Sequence, residues 1–353
     1  MHRRQFIRLS SLAVAVPLMP GCAVVANLTT APLIDRHLPK DYSGVAAVRK
    51  DARSPLVTHA GGLAQREEKQ PVTKDTRFLV GAMTRWITAI TVLRLADMGR
   101  LDLDAPIARH LPELPAANGA VTLRQLMSNR GGIPNGLLDA LRKDKATENL
   151  EIGPVEAALR FGTGTPVPGA QWDDSATNWI LVAAVVERAR KEPFTETVEE
   201  LVLAPAGVRD TSFAATGYED EVGMAVAYSA TGQRNTTAVP PMLAASGTLY
   251  STARDLVAIA DAAYLNKLLS EKARKELTTV AVASESYALG GRVKTLATGK
   301  GARSLAWVTG SLGGYTSLLA YDPADGRAVV LLNNTDVQQS ELARIAAALF
   351  AEL

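Results

Sequence analysis

The sequence is poor in the residues that carry metal and redox chemistry. Among its 353 residues there is one cysteine, Cys22, and there are four histidines. A single cysteine cannot form an intrachain disulfide, and it cannot supply a zinc site built from several thiolates. His37, His59 and His110 are far apart in the sequence, and we interpret them as surface or hydrogen-bonded core residues rather than metal ligands. We therefore expect neither a metal nor a cofactor.

The chain also lacks an excess of charge of either sign. Lys and Arg total 38 against 36 Asp and Glu. Without the three arginines among the first eight residues, the balance is 35 against 36, a net charge of −1. A nucleic-acid-binding surface normally needs a clear positive excess. The composition, with 47% hydrophobic and 21% charged residues, instead indicates a globular protein that does not bind nucleic acid.

No hydrophobic run at the N-terminus is long enough to cross a bilayer as a mature helix. The run from Leu12 to Met19 is short, and it follows Arg-Arg-Gln-Phe-Ile at 3–7, which resembles a twin-arginine export signal. We interpret residues 1–26 as a signal peptide and residues 27–41 as a linker. Two processing routes remain open: cleavage at Val24-Val25-Ala26, or lipidation of Cys22 in a sequence that resembles a lipobox. Either route predicts a periplasmic protein, which a lipid would tether to the membrane.

After position 42 the residue patterns predict an α/β (α+β) fold. Residues 44–49 and 56–64 predict a β-hairpin, and further strands are predicted at 305–308, 316–321 and 328–332. The predicted helices are 82–98, 123–128, 155–159, 178–190, 195–201, 253–269 and about 338–352. We expect an antiparallel sheet flanked by helices, built from 42–105 and 285–353, with a helical subdomain at 106–284.

The most informative segment is 76–86, Thr-Arg-Phe-Leu-Val-Gly-Ala-Met-Thr-Arg-Trp. It resembles the start of the catalytic helix in serine β-lactamases, penicillin-binding DD-peptidases and related esterases, where Ser-x-x-Lys supplies the nucleophile and its base. Ala82 occupies the serine position and Arg85 the lysine position. Alanine has no nucleophilic atom, and arginine stays protonated at ordinary pH. No Ser-x-x-Lys occurs at any position of the chain.

Further segments resemble the same family in the same order: 99–106, 126–134, 244–256 and Asn333-Asn334. The resemblance covers about residues 43–350, and it is nearest to the class C β-lactamase and esterase branch. It implies a β-lactamase/transpeptidase-like fold, with a cleft between the sheet and the helical subdomain.

Two other motifs of this family are also altered. Residues 168–179 align with its Tyr-x-Asn region, so that Asp174 occupies the tyrosine position and Ala176 the asparagine position. Near the end of the chain, Val308 occupies the histidine position of a His-x-Gly motif. The resemblance therefore implies that five reactive or substrate-binding side chains are absent together.

Some features of the cleft are expected to remain. Thr309, Gly310 and Ser311 keep the strand that grips substrates in relatives. Since the lysine and tyrosine of active relatives meet across the cleft, we predict that Arg85 and Asp174 form an ion pair. We also expect the neighbouring Ser175 to hold its loop by hydrogen bonding. The tryptophans near the motifs are expected mainly to pack in the core: Trp172, Trp179 and Trp307.

These observations favour a catalytically inactive, exported relative of serine hydrolases. We expect its cleft to bind a peptide, a peptidoglycan fragment, a small molecule or a partner protein. One alternative is a hydrolase with non-standard residues, in which Asp174 activates a water molecule. Another is a purely structural domain. The sequence leaves the oligomeric state open.

Overall fold

The computed structural model describes residues 31–353 except positions 168, 170, 267 and 300. The predicted signal peptide and Cys22 lie outside these residues. Within the described part of the chain, no helix combines the length and apolar character needed to span a bilayer.

A six-stranded antiparallel sheet forms the centre of the fold, and the two ends of the chain build it together. The strands are β1 (Gly44–Arg49), β2 (Val57–Gly61), β3 (Leu63–Gln65), β4 (Gln70–Pro71), β5 (Phe78–Leu79), β6 (Ser212–Phe213), β7 (Ala227–Tyr228), β8 (Arg234–Asn235), β9 (Leu249–Ser251), β10 (Arg292–Thr298), β11 (Gly301–Leu312), β12 (Tyr315–Tyr321) and β13 (Ala328–Asn333). The order in the large sheet is β10-β11-β12-β13-β1-β2, and β5, β9 and β6 form a smaller sheet. The predicted α/β (α+β) class is confirmed.

Helices cover the sheet and fill the middle of the sequence. They are α1 (Thr84–Asp97), α2 (Ala116–Gly119), α3 (Leu123–Met127), α4 (Gly136–Lys143), α5 (Pro154–Phe161), α6 (Ala176–Arg190), α7 (Phe194–Val198), α8 (Ala204–Ala206), α9 (Ala253–Tyr264), α10 (Glu271–Thr278) and α11 (Gln339–Glu352). Short 3-10 turns lie at Gly81–Met83, Ile107–Arg109, Lys145–Asn149, Tyr218–Asp220, Pro241–Leu243 and Ala283–Glu285, and a π-helical turn, Glu199–Leu203, joins α7 to α8.

Strands β1, β12 and β13 are buried on both faces of the sheet, which explains why their residues are largely apolar. One face packs on the inner cluster, a core shared with α1 and α6 that includes Val45 and Val330. The other face packs on the outer cluster, in which Ala46 and Leu331 meet α11. Because side chains alternate along a strand, neighbouring residues of β1 belong to different clusters.

Helix α1 lies at the centre of the molecule. Ten of its fourteen residues are buried, so its sequence is apolar around most of its circumference. It ends as predicted, because Gly99 follows with φ +68°, the left-handed conformation that commonly stops a helix.

Most predicted boundaries differ from the structure by a few residues, and three differences are larger. The described part of the segment expected as a linker is packed: residues 31–37 are helical, and Leu33 and Ile34 are buried in the outer cluster. The helix predicted at 253–269 ends at Tyr264. Strand β10 was not predicted, since its residues are partly exposed and show no clear apolar alternation.

Candidate functional site

The start of α1 touches strand β11, and glycines make this contact close. A Cβ atom at Gly310 would lie 1.9 Å from the Val80 carbonyl oxygen. Gly81 has φ +55°, and a Cβ there would lie 2.8 Å from the Ser311 backbone. Ser317 on the next strand donates a hydrogen bond to the Val80 oxygen at 2.8 Å. The backbone of the turn before α1 is therefore in close contact with the backbone of β11. The resemblance places the nucleophile in this turn.

Neither wall of this contact carries a nucleophile or a base at the expected positions. Ala82 lies in the 3-10 turn, half-buried, and offers only a methyl group. Val308 on β11 is 2% exposed and belongs to the inner cluster. Ala176 is the first residue of α6. The chemistry of these side chains excludes both nucleophilic attack and proton transfer at the three positions.

The predicted ion pair between Arg85 and Asp174 is confirmed. Arg85 Nη1 donates to Asp174 Oδ1, which joins the first turn of α1 to the loop before α6. The Arg85 side chain is 13% exposed and that of Asp174 is 54% exposed, so the pair joins a nearly buried guanidinium to a solvent-exposed carboxylate. The guanidinium also lies 5.9 Å from the ring centroid of Trp179.

An aromatic group beside this pair was not predicted. Tyr287 is buried, and burial raises the pKa of its phenol to about 12 while the Arg85 charge opposes that rise. Trp172 packs edge-on against Tyr287, with ring centroids 5.7 Å apart. The Arg292 guanidinium lies 5.5 Å from the Trp172 ring and 5.6 Å from the Tyr287 ring. Tyr287 therefore stays neutral at physiological pH. Arg292 adds a second arginine to this group, and it pairs with Glu285 Oε2 at 3.2 Å.

The residue patterns do not predict this aromatic group. Arg292 opens β10, the strand that was not predicted, and no motif marks Tyr287. The expectation that Trp172 packs in the core is only partly right, because the ring is partly exposed beside Arg292. Trp179 and Trp307 are buried as expected.

The loop that carries Asp174 is held by backbone contacts rather than by Ser175. Asp173 N donates to the Asn129 carbonyl oxygen at 2.9 Å, and Ser175 N donates to the Asp173 oxygen at 2.8 Å. Ser175 Oγ is buried and has no hydrogen-bond partner among the described residues. The prediction that its side chain ties the loop is therefore wrong. Asn129 Oδ1 accepts instead from Trp179 Nε1, at 3.2 Å.

The remaining residues singled out in the sequence lie in separate parts of the molecule. Thr309 is partly buried and Ser311 exposed, on the same strand as Gly310. His37 Nε2 lies 2.7 Å from Glu352 Oε1, and His59 Nδ1 lies 2.8 Å from Asp35 Oδ1, so these histidines have separate carboxylate partners. No cluster of three or more metal-ligating side chains occurs in the part of the chain that the structure describes.

Comparison with known proteins decides the family. A model of the beta-lactamase family matches residues 33–352. The chain belongs to this family. It is 27% identical over 257 residues to the putative penicillin-binding protein PbpX of Bacillus subtilis, covering 70% of this chain and 61% of that protein. It is 36% identical over 178 residues to esterase EstB of Burkholderia gladioli, covering 45% of this chain and 44% of that protein. The alignments thus span less than two thirds of these relatives.

Solved structures share the fold over nearly the whole chain. A penicillin-binding protein from Bacillus halodurans superposes with a TM-score of 0.74 at 23% identity, over 90% of this chain and 98% of that one. A class C beta-lactamase superposes with a TM-score of 0.73 at 16% identity, over 94% and 96% of the two chains. The β-lactamase/transpeptidase-like fold that the resemblance implied is confirmed.

Proposed function

We propose that this protein is an exported, catalytically inactive member of the beta-lactamase family, and that its former catalytic cleft binds a peptide or peptidoglycan fragment. The observation that carries the proposal is the pairing of Arg85 with Asp174 beside the methyl group of Ala82. In an active relative, these positions would hold the base, its proton relay and the nucleophile. Without an oxygen at position 82, no acyl-enzyme can form there.

The cleft keeps groups that suit a ligand with a carboxylate and apolar side chains. Arg85 and Arg292 supply guanidinium groups, which match carboxylates in shape and charge, and a ligand carboxylate would replace or share their present partners Asp174 and Glu285. Trp172 supplies a partly exposed ring for packing. The ligand class also agrees with the similarity to a penicillin-binding protein. Export, through the signal at 1–26, would place the protein where such fragments occur. Intact-mass analysis of the membrane fraction would distinguish a lipidated Cys22 from a cleaved, unlipidated chain.

Covalent labelling tests the absence of acyl transfer. We expect no labelling by a fluorescent penicillin or a fluorophosphonate, because the chain has no activated serine in the cleft. The matched positive control is the combined variant Ala82→Ser, Arg85→Lys, Asp174→Tyr and Ala176→Asn. Stoichiometric labelling of a serine in the unmodified protein would overturn the proposal.

Restoration of activity tests the assignment of the motifs. The variant described above should hydrolyse an activated ester at least tenfold faster than the unmodified protein, since it regains the nucleophile and its base. Val308→His should be added last, because residue 308 is almost fully buried and a polar ring there must be accommodated by the core. No gain with the folded variant would contradict the motif alignment.

Ligand binding distinguishes a cleft that binds from a purely structural domain. We expect muropeptides to raise the thermal midpoint of unfolding, and we expect Trp172→Ala to abolish that shift. The exposed Arg109 provides a control, since Arg109→Ala should leave it unchanged. If the unmodified protein hydrolyses an ester and Asp174→Asn abolishes the reaction, the alternative of a water-activating Asp174 replaces the proposal.

A further inference from the structure

A second concavity lies away from Arg85 and Asp174. It is a groove of 1090 Å³, formed by the start of α5, the end of α6, α7, β6 and segment 239–248. None of the altered motif positions lines it. Its volume is slightly above the range of about 300–1,000 Å³ that is typical of small-molecule sites.

The walls of the groove are largely apolar. Phe194 and Phe213 meet edge to face, with ring centroids 6.0 Å apart. Other apolar lining residues come from the loops and turns around them: Pro154, Pro193, Ala214, Ala215, Val239 and Pro241. A ligand in this groove would bury methylene or ring carbon against these side chains.

The charged residues of the groove are all acidic. They are Glu151, Glu187, Glu196 and Glu199, and no Lys, Arg or His lines it. None of the four forms a salt bridge with another residue that the structure describes. The nearby Arg190 is paired with Glu192 and Glu200 instead. Within the described part of the chain, no salt bridge therefore compensates this negative charge.

Glu187 is the groove carboxylate for which the lack of a positively charged partner matters most. It lies on α6 and is partly buried, and its Oε1 accepts a hydrogen bond from Phe194 N at 3.0 Å. Burial raises the pKa of this carboxyl, and the backbone donors Phe194 and Val155 only partly offset the rise. A cation bound beside it would favour the charged form.

We propose that this groove binds a linear aliphatic polyamine. Its ammonium groups would pair with the glutamates while its methylene segments lie on Phe194, Phe213 and the prolines. A single metal ion fits less well, because the described residues form no cluster of three or more metal ligands. Carboxylates distributed along apolar walls instead match separated ammonium groups joined by methylenes. This inference does not depend on the proposed function of the cleft.

Calorimetric titration with spermine tests the proposal on the full-length folded protein. We expect saturable binding that weakens as salt is added. The double variant Glu196→Gln/Glu199→Gln should bind at least fivefold more weakly. Its fold should be intact, because both side chains are exposed and make no hydrogen bond within the described residues. The matched control is Glu156→Gln: Glu156 is exposed on α5 but does not line the groove, and its loss should leave affinity unchanged.

Several results would overturn the inference. One is the absence of saturable binding at millimolar spermine. Another is a loss of affinity per removed charge in Glu156→Gln equal to that in the double variant, which would show that the interaction follows net charge alone. A third is that Mg²⁺ displaces spermine as efficiently as spermidine does at the same ionic strength. A compact ion gains nothing from the apolar walls, so equal displacement would mean that these walls do not contribute to binding. Tighter binding of a Lys-rich peptide than of spermine would assign the groove to a protein partner instead.

Discussion

At the scale of single residues, the decisive feature is a nearly buried arginine whose positive charge is compensated by one aspartate. The Arg85 guanidinium is far less exposed than the Asp174 carboxylate. Its Nε atom is buried and has no hydrogen-bond partner among the described residues. Asp174 is therefore the carboxylate that compensates this charge, and removing it leaves a buried cation without an anionic partner.

A double-mutant cycle measures the coupling between Arg85 and Asp174. We expect Asp174→Asn and Arg85→Met each to change stability, with a coupling energy of about 1 kcal/mol, because one partner is buried and the other is screened by solvent. The measurement is urea denaturation of the four proteins. Salt should reduce the coupling only slightly. A coupling energy near zero would mean that the two groups are solvated independently.

The other residue-scale prediction concerns Glu187. Burial raises its pKa in the folded protein above the ordinary value, so between these two pKa values the folded state binds more protons than the unfolded state. Stability contributed by this group therefore falls as pH rises through that interval. The cost of the buried charge is fully present above the folded pKa, and it is absent below the unfolded one.

Glutamine cannot ionise, so Glu187→Gln removes the cost of the buried charge. The free energy of unfolding of the variant minus that of the unmodified protein should therefore be higher at pH 7 than at pH 4. Denaturation at the two pH values measures the difference. Glu156→Gln, at an exposed position of the neighbouring helix, should show no such change. An equal difference at both pH values would mean that the carboxyl of Glu187 is not desolvated.

At the scale of elements, two glycines hold α1 against β11. A methyl group at Gly310 must displace the Val80 carbonyl, which is backbone and cannot move independently of α1. We expect Gly310→Ala to destabilise the protein by about 2 kcal/mol or more. Gly299 lies in the turn between β10 and β11, and a Cβ atom added there would meet nothing within 4 Å beyond its chain neighbours. Gly299→Ala should therefore change stability by less than about 0.5 kcal/mol. Thermal or urea denaturation compares the two.

The elements also show what could be read from the sequence. Helix α1 was predicted because its apolar residues are spaced for one buried face and Gly99 follows it. The β1–β2 hairpin was predicted because two strand-like runs end at Gly61-Gly62. Pairing of Arg85 with Asp174 was predicted because the family resemblance places both positions on one cleft. The packing of Arg292 against the Tyr287 ring depends on how β10 docks, and no local sequence pattern predicts this contact. The groove glutamates come from α6, α7 and separate loops, so only the folded chain brings them together.

At the scale of the whole molecule, the two ends of the chain complete one layer. Strands β1 and β13 pair through the register Val45↔Leu332 and Ala47↔Val330, and α11 then covers the outer face of the sheet. Residues 31–37 close the same face. Their polar flanks favoured a linker in the sequence, but the adjacent Leu33 and Ile34 are enough to bury a short helix against an apolar sheet.

Ile34 provides the test of this closure. Because its side chain is fully buried, Ile34→Ala should destabilise the protein by about 2–4 kcal/mol. Arg36, two residues later, has a side chain that is 66% exposed and pairs with Glu352, so Arg36→Ala should change stability by less than about 1 kcal/mol. If both variants unfold like the unmodified protein, the segment is a linker after all. If only Ile34→Ala is destabilised, the folded unit begins before β1, and the outer face of the sheet needs residues from both ends of the chain to exclude water.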